Sequence, residues 1–165
     1  TDYGVAMHTL MQYVRFDACA TLEGLEGEID RLTAARVIPA DLAPRLDRSA
    51  ILAFFRSDLG RKLMTGRYIR EFKFSILEDA VGYGEGLTGE QILLQGVVDC
   101  ALVEKDGITV VDFKTDYVTE ATLPEVLARY RPQVDTYSRA LERIYEMPVK
   151  GTCLYFFHLK KLIAV

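Results

Sequence analysis

Apolar residues recur every three or four positions through the first third of the chain and every two positions after it. Residues 3 to 16 place Val5, Leu10, Met11 and Val14 near a 3.6-residue period, which predicts an amphipathic helix lying on a core. A second helical stretch opens at Thr21, a residue type that caps helix N-termini, and carries Leu22, Leu25, Ile29 and Leu32 before Pro39; Gly24 and Gly27 weaken it. Asp41 to Phe55 reads as a third helix through Leu42, Leu46, Ala50 and Phe54. Ser57 caps a short fourth helix that Gly66 ends.

The period then changes. Tyr68, Phe72, Phe74 and Ile76 alternate with Glu71, Lys73 and Ser75, predicting a strand with one buried face. Residues 78 to 89 hold the glycines of a loop, and no Gly-Lys-Ser/Thr ending marks it as a phosphate loop. Ile92 to Val103 and Ile108 to Lys114 read as strands joined by Glu-Lys-Asp-Gly, where Asp106-Gly107 is a hairpin signal. Thr122 and Glu125 have the spacing of a capping box that opens a helix near Leu123, and Pro132 is expected to kink or restart it before it runs to Tyr145. Val149 to Phe157 and Leu162 to Val165 complete the strands. The order predicts an α/β chain: a mixed sheet with helices packed on it and a helical N-terminal part.

At 165 residues the chain fits a single domain, residues 1 to 165, able to bury roughly 70% of its extended surface. No apolar run approaches the ~20 residues of a bilayer span and no signal peptide is visible, so the expectation is a soluble, intracellular protein. Thr1 in place of a starting Met and the apolar Leu-Ile-Ala-Val end suggest a domain cut from a longer polypeptide. Cys19, Cys100 and Cys153 lie far apart among apolar residues, which reads as packed free thiols rather than a zinc or iron–sulfur site. The net charge of −4 argues against a stand-alone nucleic-acid binder, although the last 45 residues hold seven basic and four acidic side chains.

Charged residues inside apolar runs are costly to bury and need a reason. Asp99 lies within one such run, Asp112 within the next, and Lys114 two positions further on. Two apart on one strand, Asp112 and Lys114 share a face. If Glu104 to Gly107 form the loop, Val103 pairs with Ile108 and Asp99 comes opposite Asp112; a two-residue loop at Asp106-Gly107 would bring Asp99 opposite Lys114 instead. Two facing carboxylates repel unless a cation separates them, and a hard divalent ion such as Mg²⁺ suits oxygen ligands. With an ammonium beside them, these are the parts for phosphodiester hydrolysis. An Asp–Lys ion pair at a sheet edge is the plainer alternative.

Asp99, the run Val110 to Asp116 (VVDFKTD), and Tyr130, Gln133 and Tyr137 resemble the nuclease domain of RecB-type helicase–nucleases, within the PD-(D/E)XK superfamily. GVAMH, Gly4 to His8, is similar to that family's first helix, and Arg70 to Phe74 (REFKF) to its R-E-x-P-F strand with Lys73 in place of proline. The likeness covers nearly the whole chain in motif order and is closest to the AddA branch, where the domain follows a helicase.

The resemblance implies a restriction-endonuclease-like core. It further implies that His8, Asp99, Asp112 and the backbone carbonyl of Phe113 bind Mg²⁺, with Mn²⁺ or Ca²⁺ able to substitute in binding, and that Lys114 is the catalytic lysine. Gln133 and Tyr137 correspond to a Q-x-x-x-Y motif that positions DNA. Without the family, His8 reads as an ordinary helix histidine, and Gln133 and Tyr137 as a partly buried amide and a core tyrosine; Glu71 is left as a supporting or surface carboxylate. Three cysteines unlike the four of clustered relatives imply no iron–sulfur cluster. The implied activity is hydrolysis of single-stranded DNA fed by a helicase motor, exonuclease-type processing of double-strand-break ends for recombinational repair. An AddB-like partner subunit, no membrane, and a cytoplasmic location at the bacterial nucleoid go with it. The rival readings are an inactive DNA-binding or scaffold module of the same fold and a stand-alone nuclease or other phosphate-ester hydrolase.

Overall fold

The computed structural model describes residues 1–165. Four helices come first: α1 (Asp2–Tyr13), α2 (Leu22–Ala34), α3 (Arg48–Arg56) and α4 (Asp58–Thr65). Thr21 and Ser57 cap α2 and α4 as their positions predict, accepting from the Gly24 and Gly60 amides. The expected third helix is shorter than Asp41 to Phe55. Pro44 sits in a single 3-10 turn, Ala43–Arg45, and α3 begins only where the Asp47 carboxylate accepts from the Ala50 amide.

Five strands follow: β1 (Arg67–Asp79), β2 (Gln91–Glu104), β3 (Gly107–Lys114), β4 (Val149–Phe156) and β5 (Lys161–Ala164). They form one mixed sheet in sequence order, antiparallel except for the β3–β4 pair. A parallel pair requires a crossover, and α5 (Leu123–Tyr145) supplies it between β3 and β4. This helix runs unbroken through Pro132. The expected capping box does not form, because the Thr122 hydroxyl is engaged with Thr119 instead.

Each sheet face has its own core. Cys100, Leu102, Val111, Phe113, Tyr155 and Phe157 pack against α1 to α4. Ala101, Val103, Ile108 and Val110 pack against Tyr137, Ala140 and Leu141 of α5, with Leu154 and Phe156 continuing that layer against Val126 and Val134. The β2–β3 register pairs Val103 with Ile108, as the longer-loop count predicts, and the ladder ends at Cys100 and Val111.

The expected single buried face of β1 is not what forms. Tyr68 joins the α1–α4 side, where Arg70 also lies with its guanidinium 4.4 Å from the Phe16 ring, whereas Phe72, Phe74 and Ile76 join the α5 side. The sense of alternation inverts at Glu71, whose φ of 49° lies in the left-handed region. On the facing strand, Val98 and Ala101 both pack toward α5 and Cys100 toward the helices, so β2 inverts at Asp99. Arg70 and Cys100 pair, as do Phe72 and Val98, and the positions between them do not. Both strands of the hairpin therefore change face at the same level.

Candidate active site

The residues singled out in the sequence gather at this level. Asp99, displaced from the regular ladder, accepts the Phe113 amide with its Oδ2 at 2.9 Å. That bond satisfies a backbone donor where pairing with β2 has stopped, and it ties the carboxylate to the end of β3. The Asp112 carboxylate, only 4% exposed, is within 2.6 Å of Lys114 Nζ. The two strand positions thus share a face as their spacing requires. Lys114 Nζ also donates to Gln133 Oε1 at 3.0 Å and lies 3.8 Å from the centre of the Tyr130 ring on α5.

His8 approaches from α1, with Nδ1 3.8 Å from Asp99 Oδ2. Two contacts set that approach. Gly4 lets the helix come close to the end of β3, where a Cβ would stand 3.0 Å from Thr115 Oγ1. Arg70 donates to the carbonyls of Met11 and Val14 at the C-terminal end of α1, a site that favours a cation. The arginine next to Glu71 thereby fixes the helix that carries His8.

The electrostatics follow from burial. Burial and the adjacent Asp112 carboxyl, close enough to share a hydrogen bond, push the Asp99 acid up to about 8. Burial lowers His8 below its ordinary value despite the pull of Asp112, leaving a neutral imidazole suited to metal ligation. Tyr137 is 7% exposed, its ring set edge-on to Phe74 beneath Gly96, where a Cβ would crowd both rings. Its phenol is raised by burial and by Asp112 and Asp99, so the hydroxyl senses the carboxylates while the ring serves the core. Phe113 is buried, edge-on to Phe54 and stacked with Phe157.

As arranged here, no three His, Cys, Asp or Glu side chains close into a metal cage; Asp112 is engaged by Lys114. The donor chemistry nevertheless fits a hard divalent ion: two apposed carboxylates whose mutual repulsion a cation would relieve, with an imidazole beside them.

Residue type and spacing alone do not bring Glu71 into the site, but the fold does. It lines a small recess with His8, Gln12 and Asp99, and a shallow depression of about 470 Å³ opens from there over His8, Gln12, Glu71 and Thr115. Its negative charge adds to the upward push on Asp99 and, in His8, works against the larger lowering by burial. The one signal in the sequence is the three-residue spacing of the apolar side chains that face α5, Ile69 to Phe72 and Val98 to Ala101, inside strands that otherwise repeat every two. Asp116 is a second addition; its carboxylate holds the Tyr130 hydroxyl at 2.7 Å and Arg129 at 3.2 Å, tying the chain after Lys114 to α5.

A sheet flanked by helices, with D…D-x-K side chains collected at the end of β3, defines a class. The chain belongs to the PD-(D/E)XK nuclease superfamily, whose family model matches residues 1–163. It is 36% identical over 167 residues to the A subunit of the ATP-dependent helicase/nuclease of Bacillus mycoides (strain KBAB4), covering 94% of this chain and 14% of that protein. The proteins of the same name from Bacillus cereus (strain AH820) and Bacillus anthracis are each 35% identical over 175 residues, 99% of this chain and 14% of theirs. The chain therefore spans about a seventh of the length of these relatives. No helix is long and apolar enough to cross a membrane.

Proposed function

We propose that the chain is a Mg²⁺-dependent nuclease domain, residues 1 to 165 of a larger helicase–nuclease polypeptide, that hydrolyses phosphodiester bonds of single-stranded DNA. The observation that carries the reading is the apposition of Asp99 and Asp112 with Lys114 Nζ 2.6 Å from the latter. The names of the relatives support attachment to an ATP-dependent motor, which would deliver the strand. Mild acidity then suits a module that borrows its DNA affinity. Processing of broken DNA ends, together with an AddB-like partner subunit in the cytoplasm, belongs to the same proposal.

In it, His8, Asp99, Asp112 and the Phe113 carbonyl hold the ion. When bound, the ion makes water more acidic and offsets phosphate charge. Lys114, braced by Gln133 and the Tyr130 ring, presents its ammonium to the phosphate as charge develops there. Gln133, which holds the lysine, and Tyr137, one helical turn further on, offer polar groups to the strand from one face of α5. Glu71 adds a further carboxylate at the rim.

The test incubates the protein with end-labelled single-stranded DNA in Mg²⁺ and in EDTA. Cleavage in Mg²⁺ alone is expected. Asp112→Ala, which removes a polar group and little packing, should lower the rate by at least about 10³-fold with an unchanged circular dichroism spectrum. Cleavage at the wild-type rate in that variant would refute the assignment.

A further inference from the structure

Three residues beyond Lys114 stands the most exposed large apolar side chain of the molecule, Tyr117, at 78%. Its exposure is imposed by its neighbours. Asp116 before it is held by Tyr130 and Arg129, and Val118 after it is fully buried beside α5. The backbone is anchored on both sides, so the ring is presented outward. It also has a partner: the His158 ring lies 4.2 Å away centre to centre, inclined at 47°. His158 follows Phe157, a buried residue whose amide bonds the Lys114 carbonyl at 3.1 Å. The His158 ring thus follows a residue hydrogen-bonded to Lys114, and the Tyr117 ring stands three positions beyond that lysine.

We propose that Tyr117 and His158 form a stacking shelf for a base of single-stranded DNA next to the phosphate being cut. Three residues of chain reach at most about 10 Å, which places the shelf within a nucleotide or two of Lys114. Thr115, two residues before Tyr117, lines the depression over His8 and Glu71, so the chain passes from the rim of the site to the shelf. Every base has a π-face and an unpaired strand leaves it accessible, which makes such a platform indifferent to sequence and selective for single strands. An outward aromatic pair held this firmly buries no core surface, and a base is the occupant whose shape and chemistry match it beside a phosphodiester site. The assignment rests on the reading of the site as a DNA nuclease.

The test is fluorescence anisotropy in Ca²⁺ with a labelled oligothymidylate of about 16 nucleotides and with an abasic strand of the same length. Tyr117→Ala should weaken binding of the intact strand by about 5- to 100-fold and leave the abasic strand unaffected. Tyr117→Trp should restore binding of the intact strand, and His158→Ala should weaken it less than Tyr117→Ala. The melting temperature should not move in either alanine variant, because the rings are outside the core. Equal affinity of wild type and Tyr117→Ala for the intact strand, equal weakening for both strands, no rescue by tryptophan, or no measurable binding by the wild type would overturn the proposal. The two readings fail separately: a Tyr117-dependent preference for the intact strand without Mg²⁺-dependent cleavage sinks the nuclease and keeps the shelf, and cleavage without that preference does the reverse.

Discussion

The two halves of the β1–β2 hairpin follow the same alternation with opposite sense. In the half nearest the β2–β3 turn, even-numbered Tyr68, Arg70, Cys100 and Leu102 face α1 to α4; in the far half, even-numbered Phe72, Phe74, Ile76 and Val98 face α5. A sheet flat and regular throughout would have sent Asp99 and Glu71 to one face, under a helix. The inversion leaves both at the edge between the two helical layers, where His8 from α1 and Lys114 backed by α5 can meet them. What looks like a defect in the strand is the opening through which charged groups leave the core.

The near half is sandwiched, and the far half is covered on one side only: Leu77 and Leu93, paired across the strands, are 51% and 55% exposed. That difference sets the order of effects expected on substitution. The largest is at the seam itself. Asp99 holds its proton more tightly folded than unfolded, up to about 8 against an ordinary value of 3.8. Its contribution to stability is therefore present below pH 4 and is lost as pH rises from there toward 8. In EDTA, thermal melts of wild type should fall across that window, whereas Asp99→Asn, which still accepts from the Phe113 amide, should show a flatter profile and melt higher at pH 8. Parallel profiles would mean that the charge is not confined.

Next comes the contrast between the halves. Leu102→Ala in the sandwiched half should cost about 3 kcal/mol, and Leu93→Ala in the open half under about 0.5 kcal/mol, both read from urea midpoints. Similar costs would erase the distinction. The smallest effect is backbone strain. Glu71→Gly should gain up to about 1 kcal/mol, because glycine accepts a positive φ without penalty, while Lys73→Gly two residues on should lose about as much. Reduced cleavage in Glu71→Gly, despite greater stability, would mark the carboxylate as functional.

Much of this is legible in the chain. Asp106-Gly107 announces the hairpin, and counting back from Val103 and Ile108 brings Asp99 to the level of Asp112. Thr21, Ser57 and Gly66 mark helix ends through local hydrogen bonding, which sequence states directly. What is not legible depends on partners distant in sequence. Pro132 is carried inside the single run of α5, whose Val126 before it and Val134 after it are both packed on the sheet, and the Thr122 hydroxyl prefers Thr119 to a capping bond. The role of Glu71 hinges on a dihedral that its residue type does not announce, and that of Arg70 on a helix end some sixty residues earlier. Local rules locate the site, and tertiary contacts decide who else belongs to it.

If the hairpin's inversion assembles one metal site from α1, β2 and β3, His8 and Asp112 must hold the same ion. Calorimetric titration of Mn²⁺ into wild type, His8→Ala and Asp112→Ala tests it most directly. Binding by the wild type, weakened at least about 10-fold in each variant, is the predicted result. Unchanged affinity in both variants would show that these side chains hold no common ion.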